Sequence, residues 1–70
     1  MFKVGSIFSF KDFPNTHDTL AMIVRKQYTE EDGYNYLLHV IENNVEFWVN
    51  DFDLKHELDA EEWSMEYEPE

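Results

Sequence analysis

The sequence predicts an all-β domain built from five short strands, and three observations carry that prediction. Apolar and polar residues alternate with a period of two in several stretches, and clusters of Gly, Pro, Asn and Asp separate those stretches. Six Phe, four Tyr and two Trp in 70 residues supply the large burial per side chain that a small β-rich core needs. A chain of this length buries only about 60% of the surface that its unfolded form exposes, so its stability margin is thin. With no cysteine, a disulfide cannot widen it.

The first strand is expected near Ser6 to Lys11, SIFSFK, where Phe8 and Phe10 share a face across Ser9. Val4-Gly5 before it reads as a turn. Asp12 to Thr19, DFPNTHDT, reads as a loop around an extended Phe-Pro step, with Phe13 as its anchor. Leu20 to Thr29, LAMIVRKQYT, is the longest β-like stretch. A three-residue loop of Glu31, Asp32 and Gly33 would follow it, with Gly in the left-handed position, pairing Glu30 with Tyr34, Tyr28 with Tyr36, Lys26 with Leu38 and Val24 with Val40.

Tyr34 to Val49, YNYLLHVIENNVEFWV, is the centre of the fold. A two-residue type I′ turn at Asn43-Asn44 would pair Glu42 with Val45, Ile41 with Glu46, Val40 with Phe47, His39 with Trp48 and Leu38 with Val49. Tyr36, Leu38, Val40, Val45, Phe47 and Val49 then form a core face. Leu37, His39, Ile41, Glu46 and Trp48 face the other way. Asn50 to Asp53 reads as a short 3₁₀ turn with Asn50 or Asp51 accepting from the next backbone N–H groups. Leu54 to Leu58 would be the fifth strand. Asp59 to Glu70 is an acidic tail in which Trp63, Met65 and Tyr67 alternate with polar residues, so it is either an extra strand that folds back or a segment that orders on binding. The organisation expected is a barrel over residues 1–58 and a tail over 59–70.

Charge narrows the function. Sixteen acidic residues against five basic ones give a net charge of −11, and the five bases are scattered, which argues against direct nucleic-acid binding. An acidic chain suits a partner with a basic surface. Over half of the net charge lies in residues 59–70, where there are six acids and no base. The N-terminus has no signal-peptide pattern and no run approaches the ~20 apolar residues of a membrane span, so neither membrane association nor export is expected and the location read is cytoplasmic.

The order of these elements, a long first loop, two tight hairpins and a helical turn before the last strand, is that of a small SH3-like barrel. VGSIFSF resembles the opening of such barrels, and residues 20–58, with Phe47-Trp48-Val49 and Asp53-Leu54, resemble the small SH3-like proteins common in bacteriophage genomes. The resemblance covers about residues 3–58. It implies a five-stranded SH3-like barrel and a non-enzymatic accessory module, in the host cytoplasm if phage-encoded. DFPNTHDT departs from the acidic-aromatic first loop of proline-rich-ligand SH3 domains, so polyproline binding is not implied.

The predicted registers line up Arg25, His39 and Trp48 across three strands on the non-core face, flanked by Ile23, Ile41 and Leu37. Such a row is either a recognition patch or a second packing layer. Glu46, together with Glu61, Glu62 and Trp63 of the tail, completes the set of candidate protein-binding residues. No catalytic, cofactor or metal site is read. His17, His39 and His56 lack ligand spacing, the serines sit in no nucleophile elbow, and Glu30-Glu31 and Glu61-Glu62 are expected to be exposed without the divergent pKa values that acid–base work needs. Room for a small-molecule pocket is also not expected. Two functions fit: a binding module that blocks or redirects a basic host protein, with an acidic nucleic-acid mimic as its sharper form, or an assembly component that self-associates into homo-oligomers through strand edges and tail.

Overall fold

The computed structural model describes residues 1–11 and 18–70. The described residues form five strands and one helix: β1 (Ile7–Lys11), β2 (Asp18–Thr29), β3 (Gly33–Val40), β4 (Glu46–Asn50), α1 (Asp51–Asp59) and β5 (Trp63–Tyr67). All five strands are antiparallel members of one sheet in the order β4-β3-β2-β1-β5, so β1 pairs with both its sequence neighbour and the last strand. Among the described residues no ladder joins β5 back to β4, and the sheet is not closed. The expected first-loop anchor Phe13 and His17 lie outside the described residues.

One face of the sheet carries the core. Phe8, Ala21, Ile23, Tyr36, Leu38 and Leu54 are fully buried there, and Phe2, Phe10, Phe47, Val49, Leu58, Trp63 and Met65 pack around them. Six of these residues are aromatic, and Phe2 sets its ring edgewise on both Phe8 (5.7 Å) and Tyr36 (5.6 Å), a geometry that matches ring edges to ring faces. The predicted core face of β3 and β4 is the observed one, except that Val45 is half-exposed at 51%.

The registers differ from prediction in an informative way. At the β3–β4 turn the paired residues are Leu37–Trp48, Leu38–Phe47 and His39–Glu46, a slip of two from the expected pairing. The cause is the turn: Asn44 N–H donates to the Val40 carbonyl, Val40 N–H donates to the Val45 carbonyl, and Ile41 to Asn44 form a four-residue loop. Only Asn44 is left-handed (φ 60°), because the Asn43 side chain accepts from Val45 N–H instead. A shift of two preserves parity, so every side chain keeps its predicted face.

In β2 parity is not preserved throughout. Next to the β2–β3 loop, Tyr28 faces Tyr34 and Arg25 faces Leu37, but a bulge at Val24 then brings Ile23 opposite Leu38 and Ala21 opposite Val40. The extra residue rotates the rest of the strand by one position. Ile23, expected on the outer face, is therefore buried, and Met22 moves outward.

The segment Leu54 to Leu58 is not a strand. It belongs to α1, and the 3₁₀ turn expected at Asn50 to Asp53 is the first turn of that helix. Its start follows from local chemistry. Asn50 caps it by accepting from Phe52 N–H, Asp51 and Asp53 sit in the first turn where the helix dipole favours acids, and Asp51 pairs with Lys55 one turn on (3.0 Å). Leu54 and Leu58, four apart, point to the same side and join the core. The end is a Schellman arrangement: Glu61 N–H reaches Leu58 O and Glu62 N–H reaches Glu57 O, with Glu61 at φ 61° where Gly is usual. The chain then returns as β5, so of the two states considered for the tail the strand is the one formed.

Candidate functional site

The second face of the sheet is where most of the predicted site residues lie. Reading across the strands, Tyr67, Ile7, Met22, His39 and Glu46 occupy one row. Arg25, Leu37 and Trp48 occupy the next, and Ile41 N–H bonds to Leu20 O beyond His39 and Met22. The expected Arg25–His39–Trp48 row is thus corrected. Two slips of two residues, one next to the β2–β3 loop, where Thr29 faces Gly33 and Arg25 faces Leu37, and one at the β3–β4 turn, put Leu37 between Arg25 and Trp48. His39 faces Met22 and Glu46 instead, with its Nδ1 3.0 Å from the Glu46 carboxylate.

This outer face is apolar and uncovered among the described residues. Trp48 is 47% exposed, Ile41 46%, Leu20 41% and Tyr67 56%, with Met22 and Leu37 partly buried between them. The elements that could cover a sheet are on the other side: α1 inserts Leu54 into the core face, and the N-terminal segment does the same with Phe2. Arg25 and the His39–Glu46 pair are the polar groups set into the patch.

The remaining predicted residues are elsewhere. Trp63 is on the core face, stacked on Phe10 (ring centroids 4.4 Å) and edge-on to Phe47 (6.3 Å), so it is a packing residue and cannot share a surface with Trp48. Glu61 and Glu62 lie at the end of α1, beside a polar cleft of about 290 Å³ shared with Ser9, Lys11 and Asp18. That volume is near the lower end of small-molecule sites, contrary to the expectation that the domain has no room for one. Among the described residues no three His, Asp or Glu side chains converge as a metal site would require, and no helix is long and apolar enough to cross a membrane.

Sequence reasoning missed a polar network embedded in the fold. The Tyr36 hydroxyl donates to Asp51 Oδ1 (2.6 Å) and accepts from Phe2 N–H (3.0 Å). Desolvation, reinforced by the Asp51 hydrogen bond, pushes the Tyr36 hydroxyl up to about 12. For the Asp51 carboxyl burial acts upward, but the hydrogen bonds from Tyr36 and Lys55 outweigh it and hold the group below its ordinary value. The network ties the N-terminal segment, β3 and the first turn of α1 together, and nothing in it opens to a cleft, so its role is structural. A Tyr on a core-facing strand position is the signal that could have prompted a search for its partner.

Compared with family models, with curated proteins and with solved structures, the chain finds no match in any of the three.

Proposed function

We propose that this chain is a non-enzymatic protein-binding module of SH3-like architecture, whose outer sheet face around Leu37 and Trp48 docks on a protein with a basic surface. The observation that carries the reading is the uncovered apolar face itself: Leu20, Met22, Leu37, Ile41 and Trp48 are adjacent on one side of the sheet, while the helix packs on the other. Contiguous exposed apolar surface of this kind marks interaction sites in soluble domains. Trp48 on β4 and Arg25 on β2, separated by Leu37, are residue types enriched in interface hot spots. The net charge of −11 favours a basic partner and disfavours a second copy of the same chain.

The strand order β4-β3-β2-β1-β5, with a helical segment before the last strand, supports the SH3-like part of the reading. The resemblance to phage proteins makes a host protein, or a host nucleic-acid-binding protein engaged by mimicry, the first partner to seek. The Trp48→Ala variant tests the proposal. Because Trp48 is half-exposed, folding should survive the change, as checked by far-UV circular dichroism. A protein captured by the parent chain from a host lysate should be lost from the variant, and its retention should fall as salt rises. Identical capture by a folded Trp48→Ala variant would reject the outer face as the site.

A further inference from the structure

We infer that the free edge of β5 is a second docking site, taking an extended Lys- or Arg-rich segment of a partner as an added antiparallel strand. The inference stands independently of the outer sheet face, since it concerns backbone groups at the sheet margin. β5 is last in the strand order and, among the described residues, pairs only with β1. In an edge strand alternate residues direct their N–H and C=O groups away from the one partner they have, and those groups template a further strand.

The identity of the added strand follows from charge. Residues 61–70 carry five carboxylates, Glu61, Glu62, Glu66, Glu68 and Glu70, and no base. Side chains of β5 also sort by face. Trp63 and Met65 point into the core, while Ser64 and Glu66 are exposed on the outer side, with Glu66 accepting from the Ser9 hydroxyl. A strand added alongside would set its own side chains next to these carboxylates, so opposite charges pair and like charges are rejected. Self-pairing through β5 would bring two acidic segments together, each with Glu66 in the strand and Glu61, Glu62, Glu68 and Glu70 flanking it. The other margin, β4, is less suited to a basic strand: over a window of the same length, residues 44–53, it carries three acids against five, of which Glu46 holds His39 and Asp51 is held by Tyr36 and Lys55. Natural edges are commonly guarded by lysines, prolines or bulges. The β1–β5 ladder has one register shift, at Ile7/Phe8, which leaves Glu66 between the Phe8–Met65 and Ile7–Tyr67 pairs; the rest of the guard is negative charge, which opposes self-association and admits a cationic chain.

The test uses the whole protein, isotope-labelled, and a synthetic peptide alternating valine and lysine, about ten residues long so that it outlasts the strand. A valine–glutamate peptide is the control. Binding of the lysine peptide should slow amide exchange at alternate residues of Trp63–Tyr67, weaken with added salt, and be absent for the glutamate peptide. The double variant Glu62→Lys with Glu68→Lys changes two exposed residues outside the ladder. It should lower affinity for the lysine peptide by about tenfold, the product of two exposed charge pairs, while Trp48→Ala leaves it unchanged. The inference fails if protection appears on Leu37 and Trp48 and not on β5, if both peptides bind equally, or if the protein alone gains concentration-dependent protection of β5. The last result would make a second copy the occupant.

Discussion

At Tyr36 one hydroxyl satisfies two elements. It donates to Asp51 and accepts from Phe2 N–H on a residue whose surface is fully buried, so its removal orphans a backbone donor and weakens the hold on a partly buried carboxylate. Tyr36→Phe should cost about 1–3 kcal/mol, the range for leaving buried polar partners unpaired. The cost should depend on pH at both ends. Asp51 is depressed below its ordinary 3.8 in the folded state, so its contribution is complete above that value and lost as pH falls through the lower, folded one. Tyr36 is raised from 10 to about 12, so its contribution is complete below pH 10 and lost as pH rises through 12. Urea denaturation of parent and variant across pH should therefore show a difference that is level in the middle and closes in acid and in alkali. A constant difference at every pH would remove the network from the account. Glu61 offers the opposite sign. It sits at φ 61° at the position after the helix where glycine is normally found, and Glu61→Gly should stabilise the fold by about 0.5–1 kcal/mol in the same assay.

At the scale of elements, Asn50 is the joint between α1 and the β2–β3 hairpin. Its Oδ1 caps the helix through Phe52 N–H, and its Nδ2 donates to Asp32 O (2.7 Å), with longer contacts to Tyr34 O and Asn35 Oδ1. Asp is as good an N-cap as Asn, which allows the two roles to be separated. If capping dominated, Asn50→Asp would match the parent. With the amide bridging three oxygens, Asn50→Asp should instead lose at least as much stability as Asn50→Ala, about 1–3 kcal/mol, because a carboxylate would face those oxygens. The same elements show what the sequence could disclose. The core faces of β3 and β4 were readable, because the error in the β3–β4 turn was an even number of residues and parity survived it. The helix was misread although its signals were present: an Asn cap, acids in the first turn, Leu54 and Leu58 four apart and Asp51 four before Lys55. They were hidden by the missing glycine at Glu61 and by Leu54, His56 and Leu58 also alternating as a strand would. The bulge at Val24 left no mark, since Ala21 and Ile23 are as apolar as Met22 and Val24 and only the packing decides between them. For the candidate site, the outer face was foreseen as a set of residues, but its central row was not, because that row depends on the register.

For the whole molecule the decisive question is whether residues 59–70, acidic and polar in composition, belong to the fold. They close it. Trp63 stacks on Phe10 and approaches Phe8 and Phe47 at 6.3 Å each, and Met65 lies opposite Phe8 across the β1–β5 ladder. Removing a buried Trp alone costs about 3–5 kcal/mol, while a domain of this size has a total stability of roughly 4–10 kcal/mol at 0.05–0.15 kcal/mol per residue. Truncation after Asp59 would discard Trp63, Met65 and the whole ladder, and would expose Phe8, which is now fully buried. The truncated chain should therefore lose its cooperative thermal transition and its near-UV circular dichroism. Truncation after Tyr67 is the control. Among the described residues it removes Lys3 Nζ to Pro69 O (3.3 Å) and the packing of Pro69 near Gly5, so a cooperative transition should persist a few degrees lower. If the shorter chain instead kept the parent's transition, the last strand would be an appendage, and an edge-strand site on it could then be deleted without harm to the outer face. The structure requires the reverse: the acidic segment supplies β5 first as part of the core, and any binding it does is done from a strand that the fold cannot give up.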